Sequence, residues 1–258
     1  MRLIFIRHAE PDYAHDSLTE KGWREAEYLG QRTQSWPIDH IYVSPLGRAQ
    51  DTAKSTLAHH PMQPTVCPWL QEFYVTVPNP VTGRPSIGWD YLPDDWTAEP
   101  QLFDSLQWAD APRYDLGLPP GYPLRREDFE SGAIPDQPKV VRAEWDKVCQ
   151  SIDGILAEYG YHRRDRYYEV DETKDVTLLF FAHLGAIDAI LSHVLNIAAP
   201  LLWQGMFLPP SSVTVLGAEE RKPGLAYFRA QCYGDTAHLL MHGEPVSQSG
   251  YFTDPFSL

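Results

Sequence analysis

Residues 176–182, VTLLFFA, are seven consecutive uncharged positions rich in β-branched and aromatic side chains, and they run directly into His183. An apolar run that short, bounded by charge on its amino-terminal side, predicts a strand buried on both faces. A second run of the same kind, Arg2 to Ile6, leads into Arg7-His8 and predicts a buried central strand. Strands of this type need helices on both sides, which constrains the chain to a layered α/β arrangement.

The rest of the chain supplies those helices. From Thr19 a helical stretch begins in which Trp23, Ala26 and Leu29 recur at helical spacing. Asp39 to Val43 predicts a second strand, and Thr65 to Leu70 a third. Between them, Ser44-Pro45 predicts an N-cap followed by proline at the first helical position, with the helix running through RAQDTAKSTLA. Val140, Trp145, Val148, Ile152, Ile155 and Tyr159 share one face of a long amphipathic helix. A helix through AIDAILSHVLN follows the strand at 176–182. Ser212 to Leu216 and Tyr227 to Tyr233 predict late strands, the second an edge or antiparallel one. This alternation predicts a three-layer α/β/α fold with a mostly parallel central sheet.

The pattern breaks between about Phe73 and Pro138, a stretch rich in Pro, Trp, Tyr and acidic residues. A structureless loop of that length is unusual within a compact domain. The expectation is a single domain over 1–258 that carries an inserted cap or lid at about 73–138, with small packed elements of its own. Its tryptophans are expected to form a small apolar core rather than a ligand cage.

A formal charge of −14 argues against nucleic acid or an anionic membrane as partner. Any anionic ligand must be met by a local basic pocket. The three cysteines, Cys67, Cys149 and Cys232, are scattered and lack metal or redox spacing, which fits a reduced, cytoplasmic setting. No apolar run is long enough to span a bilayer, and the amino terminus is too short in apolar residues to read as a signal peptide.

In an open α/β sheet, ligands bind beyond the carboxyl ends of the strands. Arg7-His8 follows the first predicted strand, Glu72 the third and His183 the strand at 176–182, while Arg48 lies in the first turn of a helix. These five residues can converge. His8, His183 and His238 lack the close ligand spacing of a metal site, and Ser44 is expected to be a cap rather than a nucleophile.

Arg7-His8-Ala9-Glu10 resembles the first motif of the histidine phosphatase (phosphoglycerate mutase-like) superfamily, with Ala9 in place of the usual glycine. Leu18-Thr19-Glu20-Lys21-Gly22, the segment from Ser44 to Ala53, Leu70-Gln71-Glu72, Ala182-His183 and Asp235 to Leu239 resemble further segments of that family in the same order. The likeness covers roughly 1–72 and 175–240. Pro11-Asp12-Tyr13-Ala14-His15 departs from it where an asparagine is common, and Leu184 stands where a glycine is common.

The resemblance implies a phosphomonoester phosphatase that needs no metal or organic cofactor and works through a phosphohistidine. His8 would be the nucleophile, Arg7, Arg48 and His183 the phosphoryl clamp, and Glu72 the general acid and base. Arg7, Arg48, His183, Glu10 and His15 are the candidate substrate contacts. In the expected insertion, Arg84, Arg113, Arg125 and Arg126 are further candidates for an anionic substrate. The expected partner is a small phosphorylated molecule, with phosphate or sulfate able to occupy the site, and the chain is expected to be a monomer or homodimer. Two other readings stay open: a phosphoglycerate mutase, disfavoured by Leu70 to Val75 lacking the mutase-type stretch, and a non-catalytic phosphate-binding module.

Overall fold

The structure, a computed structural model, describes residues 1–78, 85–98, 106, 108–110, 140–251 and 253–255. Its first elements are β1 (Arg2–Arg7), β2 (Pro11–Asp12), β3 (Ser17–Leu18), α1 (Glu20–Thr33), β4 (His40–Val43), α2 (Gly47–Leu57) and β5 (Thr65–Val66). Then come β6 (Thr76–Pro78), β7 (Pro85–Ile87), α3 (Pro93–Ala98) and α4 (Val140–Glu158). The chain continues through β8 (Tyr161–Arg164), β9 (Tyr167–Val170), β10 (Thr177–Ala182), α5 (Leu184–Leu195) and α6 (Ala199–Gly205). It closes with β11 (Val213–Lys222), β12 (Leu225–Asp235) and α7 (Ala237–Met241).

The eight-stranded sheet has the order β5-β4-β10-β1-β11-β12-β9-β8. The two apolar runs lie side by side, β1 pairing with β10 in parallel from Arg2 opposite Thr177 to Arg7 opposite Ala182. β10 pairs in parallel with β4, and β4 with β5. From β1 onward each pair is antiparallel. The sheet is therefore mixed, and β5, β4, β10, β1, β12 and β8 all point the same way.

Helices cover both faces, and the strands alternate accordingly. Ile4, Ile6, Ile41, Val43, Leu179 and Phe181 pack with Leu29 of α1 and Ala53 of α2. On the opposite face Phe5, Phe180 and Tyr42 stack, with ring centroids 5.0 and 4.9 Å apart. Burial on both faces is why these strands read as continuous apolar runs. Toward β9 the pattern becomes strictly alternating, exposed and buried, as in a sheet half open to water.

Several boundaries differ from those expected. The third strand is only Thr65–Val66 and gives way to a 3₁₀ turn at Pro68–Leu70, because Pro68 has no N–H for the ladder. α2 begins at Gly47 with Leu46 at the N-cap, so Ser44 is not the cap. β12 is antiparallel and internal, with β8 at that edge. The β8–β9 hairpin and its pairing to β12 were not expected; short half-polar strands such as YHRR carry little periodic signal.

The described residues group into two compact units: 1–72, 153–187 and 207–258 form one, and 73–152 with 188–206 the other. The second unit starts at Phe73, where the sequence pattern breaks, and reaches past the expected boundary at 138. Within it Trp108 is 1% exposed and meets Trp145, Trp203 and Phe73 edge-on at 5.0, 5.2 and 6.3 Å. Arg84, Arg113, Arg125 and Arg126, with most of the expected cap, lie outside the described residues. Among the described residues no helix is long and apolar enough to cross a membrane.

Candidate active site

The parallel register decides which residues meet. Arg7 lies opposite Ala182 and Phe181 opposite Val43, so β1, β10 and β4 end nearly level. The ladder continues past the strands: His8 N donates to Ala182 O, and Ser44 N to Phe181 O, both at 2.9 Å. Three segments far apart in sequence thus place His8, His183 and Ser44 at one edge. The rings of His8 and His183 are 5.1 Å apart between centroids and tilted by 53°. Both are buried, as is Arg7.

His8 Nδ1 lies 2.8 Å from the backbone oxygen of Ala9. A carbonyl oxygen can only accept, so Nδ1 carries the proton. Burial first, then Arg7 and Arg48, push the His8 pKa well below the usual imidazole value, against the opposing effect of the Ala9 bond. The ring is neutral, and Nε2 keeps an unprotonated lone pair. His183 is depressed in the same direction by burial, His8, Arg48 and Arg7.

Two guanidinium groups accompany the histidines. Arg7 donates from Nη1 to Leu208 O at 2.5 Å and lies over the Phe207 ring, 5.3 Å from its centroid. Arg48 donates from Nη1 to Asp16 Oδ1 at 2.6 Å, and Asp16 Oδ2 accepts from Gly47 N at 2.6 Å. Burial alone would raise the Asp16 pKa, but the Gly47 N–H and Arg48 hold it below the usual carboxylate value. Gly47 is needed for this approach, since a Cβ there would stand 2.1 Å from Asp16 O. Asp16 itself adopts a left-handed φ of 46°. Arg48 Nε is buried with no hydrogen-bond partner among the described residues.

A single hydroxyl links the segment after His8 to Arg48. Thr52 Oγ1 accepts from Ala9 N at 2.9 Å and donates to Arg48 O at 2.7 Å. Behind His8, Ser211 N donates to His8 O at 3.1 Å, with Ser211 at φ 59°. Ser211 Oγ is 3.0 Å from His238 Nε2, and Arg32 bridges His238 Nδ1 at 3.4 Å and Asp235 Oδ1 at 2.5 Å. His238 therefore accepts at Nδ1 and donates at Nε2.

Glu72 Oε1 accepts from Ala186 N at 3.0 Å, in the first turn of α5, three residues after His183. Glu10 accepts from Thr19 Oγ1 at 2.9 Å and from Ser247 Oγ at 2.6 Å, so each carboxylate oxygen already serves an internal bond. His15 is largely exposed on the β2–β3 hairpin, bonded to Asp12 at 2.7 Å. Sequence reasoning missed Asp16, Thr52 and Ser211 as parts of this site. Asp16 and Ser211 carry no periodic or spacing signal, and Thr52 had one only as part of the segment from Ser44 to Ala53. Among the described residues no group of three or more His, Cys, Asp or Glu side chains has the arrangement of a metal site.

The histidine phosphatase superfamily (branch 1) family model matches residues 3–79. No curated protein matches the chain in sequence. Among solved structures, a phosphoserine phosphatase from Entamoeba histolytica, in complex with phosphoserine, is similar at 18% identity and TM-score 0.53, covering 92% of this chain and 98% of that one. A mycobacterial glucosyl-3-phosphoglycerate phosphatase with inorganic phosphate is similar at 18% identity and TM-score 0.51, over 92% and 98% of the two chains. This chain carries the phosphoglycerate mutase-like α/β fold and, over residues 3–79, the sequence signature of the histidine phosphatase superfamily.

Proposed function

We propose that the chain hydrolyses phosphomonoesters through a phosphohistidine on His8, with no metal or organic cofactor. The observation that carries this reading is the Ala9 oxygen on His8 Nδ1, which leaves an unprotonated lone pair on Nε2 of a ring that burial, Arg7 and Arg48 keep neutral. In the first step Nε2 forms a bond to phosphorus as the ester P–O bond breaks, and Glu72 gives its proton to the departing oxygen. In the second, water attacks phosphorus, Glu72 takes its proton, and the N–P bond breaks. Charge on the equatorial oxygens is met by Arg7 and Arg48 through charge-assisted bonds. The substrate class is a small phosphorylated molecule of the kind named for the structural neighbours, phosphoserine or a phosphoglycerate ester.

The test is hydrolysis of p-nitrophenyl phosphate with EDTA present, by the unaltered chain and by His8→Ala. Activity is expected in the first and a fall of about 10⁴-fold or more in the second, the scale of losing a nucleophile. Because the reactive form of His8 is unprotonated and its pKa is depressed, kcat/KM should hold as pH falls through 6.5 and drop only below that. Retained activity in His8→Ala, or an acid limb at the ordinary imidazole value, would overturn the assignment.

A further inference from the structure

Ser44, expected to cap α2, is instead fully buried, with Oγ 2.7 Å from His183 Nε2. A hydroxyl has one proton and two lone pairs. One lone pair takes the Leu46 N–H at 3.3 Å. Among the described residues, the remaining partner of Oγ is His183 Nε2. Were Nε2 to carry the ring proton, Ser44 would accept twice, and its own proton would be buried without an acceptor, which native interiors avoid. The hydroxyl therefore donates to Nε2.

A neutral imidazole whose Nε2 accepts must carry its proton on Nδ1. His183 Nδ1 is buried and has no hydrogen-bond partner among the described residues. We propose that Ser44 is a positioning residue that fixes His183 as the Nδ1–H tautomer, so that this N–H donates to a phosphoryl oxygen held beside His8. The tautomer follows from the Ser44 geometry alone; the ligand it meets rests on the proposed function. The two histidines then share one tautomer for opposite ends. In His8 the Nδ1 proton is tied to a carbonyl and the lone pair is presented. In His183 the lone pair is tied to a hydroxyl and the proton is presented. Burial and the neighbouring arginines keep His183 neutral, so the tautomer matters at ordinary pH.

The experiment is a long-range ¹H–¹⁵N correlation spectrum of the full chain labelled at histidine, at pH 7, with His183 assigned by its loss in His183→Gln. The unaltered chain is expected to show His183 protonated on Nδ1. In Ser44→Ala the signal should move toward the Nε2–H form, while His8 stays Nδ1–H and reports an intact fold. An Nε2–H ring in the unaltered chain, or an unchanged tautomer in Ser44→Ala, overturns the proposal. Should Ser44→Ala lose the His8 signal, Ser44→Cys, which keeps the volume and weakens the donor, takes its place under the same criteria. On p-nitrophenyl phosphate, Ser44→Ala should lose about tenfold in kcat/KM, the worth of one hydrogen bond. An unaltered chain with no phosphatase activity but the expected tautomer would remove the proposed function and leave the Ser44 assignment standing.

Discussion

The two halves of the main sheet use their strand ends differently. In the parallel half, β4, β10 and β1 finish in register, and the residues just beyond them, Ser44, His183 and His8, face one small volume. In the antiparallel half, the segments around β11 and β12 hold His8 from behind. Ser211 bonds the His8 carbonyl, and His238, Arg32 and Asp235 fix Ser211 in turn. Parallel pairing gathers chemically reactive groups from distant stretches of sequence, because every strand delivers the same end to the same edge. Antiparallel pairing delivers opposite ends and is suited to support. Changes at the parallel edge should therefore alter reaction and leave stability nearly unchanged, and changes behind it should do the reverse.

The sharpest way to break that contrast is Glu72→Gln. The amide oxygen can still accept the Ala186 N–H, so α5 keeps its terminal bond, but no proton can be passed. Turnover of alkyl phosphates should fall about 10²- to 10³-fold, and that of p-nitrophenyl phosphate much less, since nitrophenolate leaves without help. Equal losses on both, or a large loss of stability in urea, would move Glu72 from reaction to support.

Asp16→Asn tests whether the parallel edge is tuned as well as assembled. The aspartate neutralises Arg48 and holds its guanidinium by one oxygen while the other takes the Gly47 N–H. Asparagine preserves one acceptor and removes the charge. Inorganic phosphate should inhibit about tenfold more strongly, because Arg48 is then fully available to an anion. An unchanged inhibition constant would show that Asp16 does not compete for Arg48.

The smallest catalytic effect is expected from His238→Gln, about threefold or less in kcat/KM, with the clear change in stability against pH. Burial, with Arg32 and His242 and against Asp235, lowers the His238 pKa to about 3. The unfolded chain takes up that proton first, so the stability His238 contributes is present above pH 6.5 and lost as pH falls toward 3. Its slope reaches about 1.4 kcal/mol per pH unit. Glu25 works oppositely in part of that window, since burial raises its pKa to about 7, and stability falls there as pH rises. The comparison of urea unfolding between pH 4 and 6.5 must therefore be made against the unaltered chain, where His238→Gln should show the shallower acid decline. Parallel declines would remove the supporting role.

The sequence made the parallel half legible and the antiparallel half only partly so. VTLLFFA and LIFI announce themselves because burial on both faces strips a strand of polar residues, and the residues just after them are then placed by topology. Tyr161–Arg164 and Tyr167–Val170 were not visible, since their stability comes from pairing with each other and with β12 rather than from their own composition. Tertiary context also moved the helix cap. Ser44-Pro45 is what a helix start looks like locally, but a buried imidazole competes for the hydroxyl, and α2 starts later. Asp16 was invisible because a carboxylate meets an arginine 32 residues away only once the β2–β3 hairpin has folded.

The hydroxyl of Thr52 has a consequence for how such a site can change over generations. It accepts from the peptide that follows His8 and donates to the carbonyl of Arg48, so one oxygen bolts the His8 and Arg48 segments together. Neither can drift without dragging the other, which makes their relative placement heritable as a unit rather than as two separately adjustable parts. Under the proposed function, variation in substrate would then have to arise elsewhere in the chain, leaving this pair of segments as its fixed inheritance.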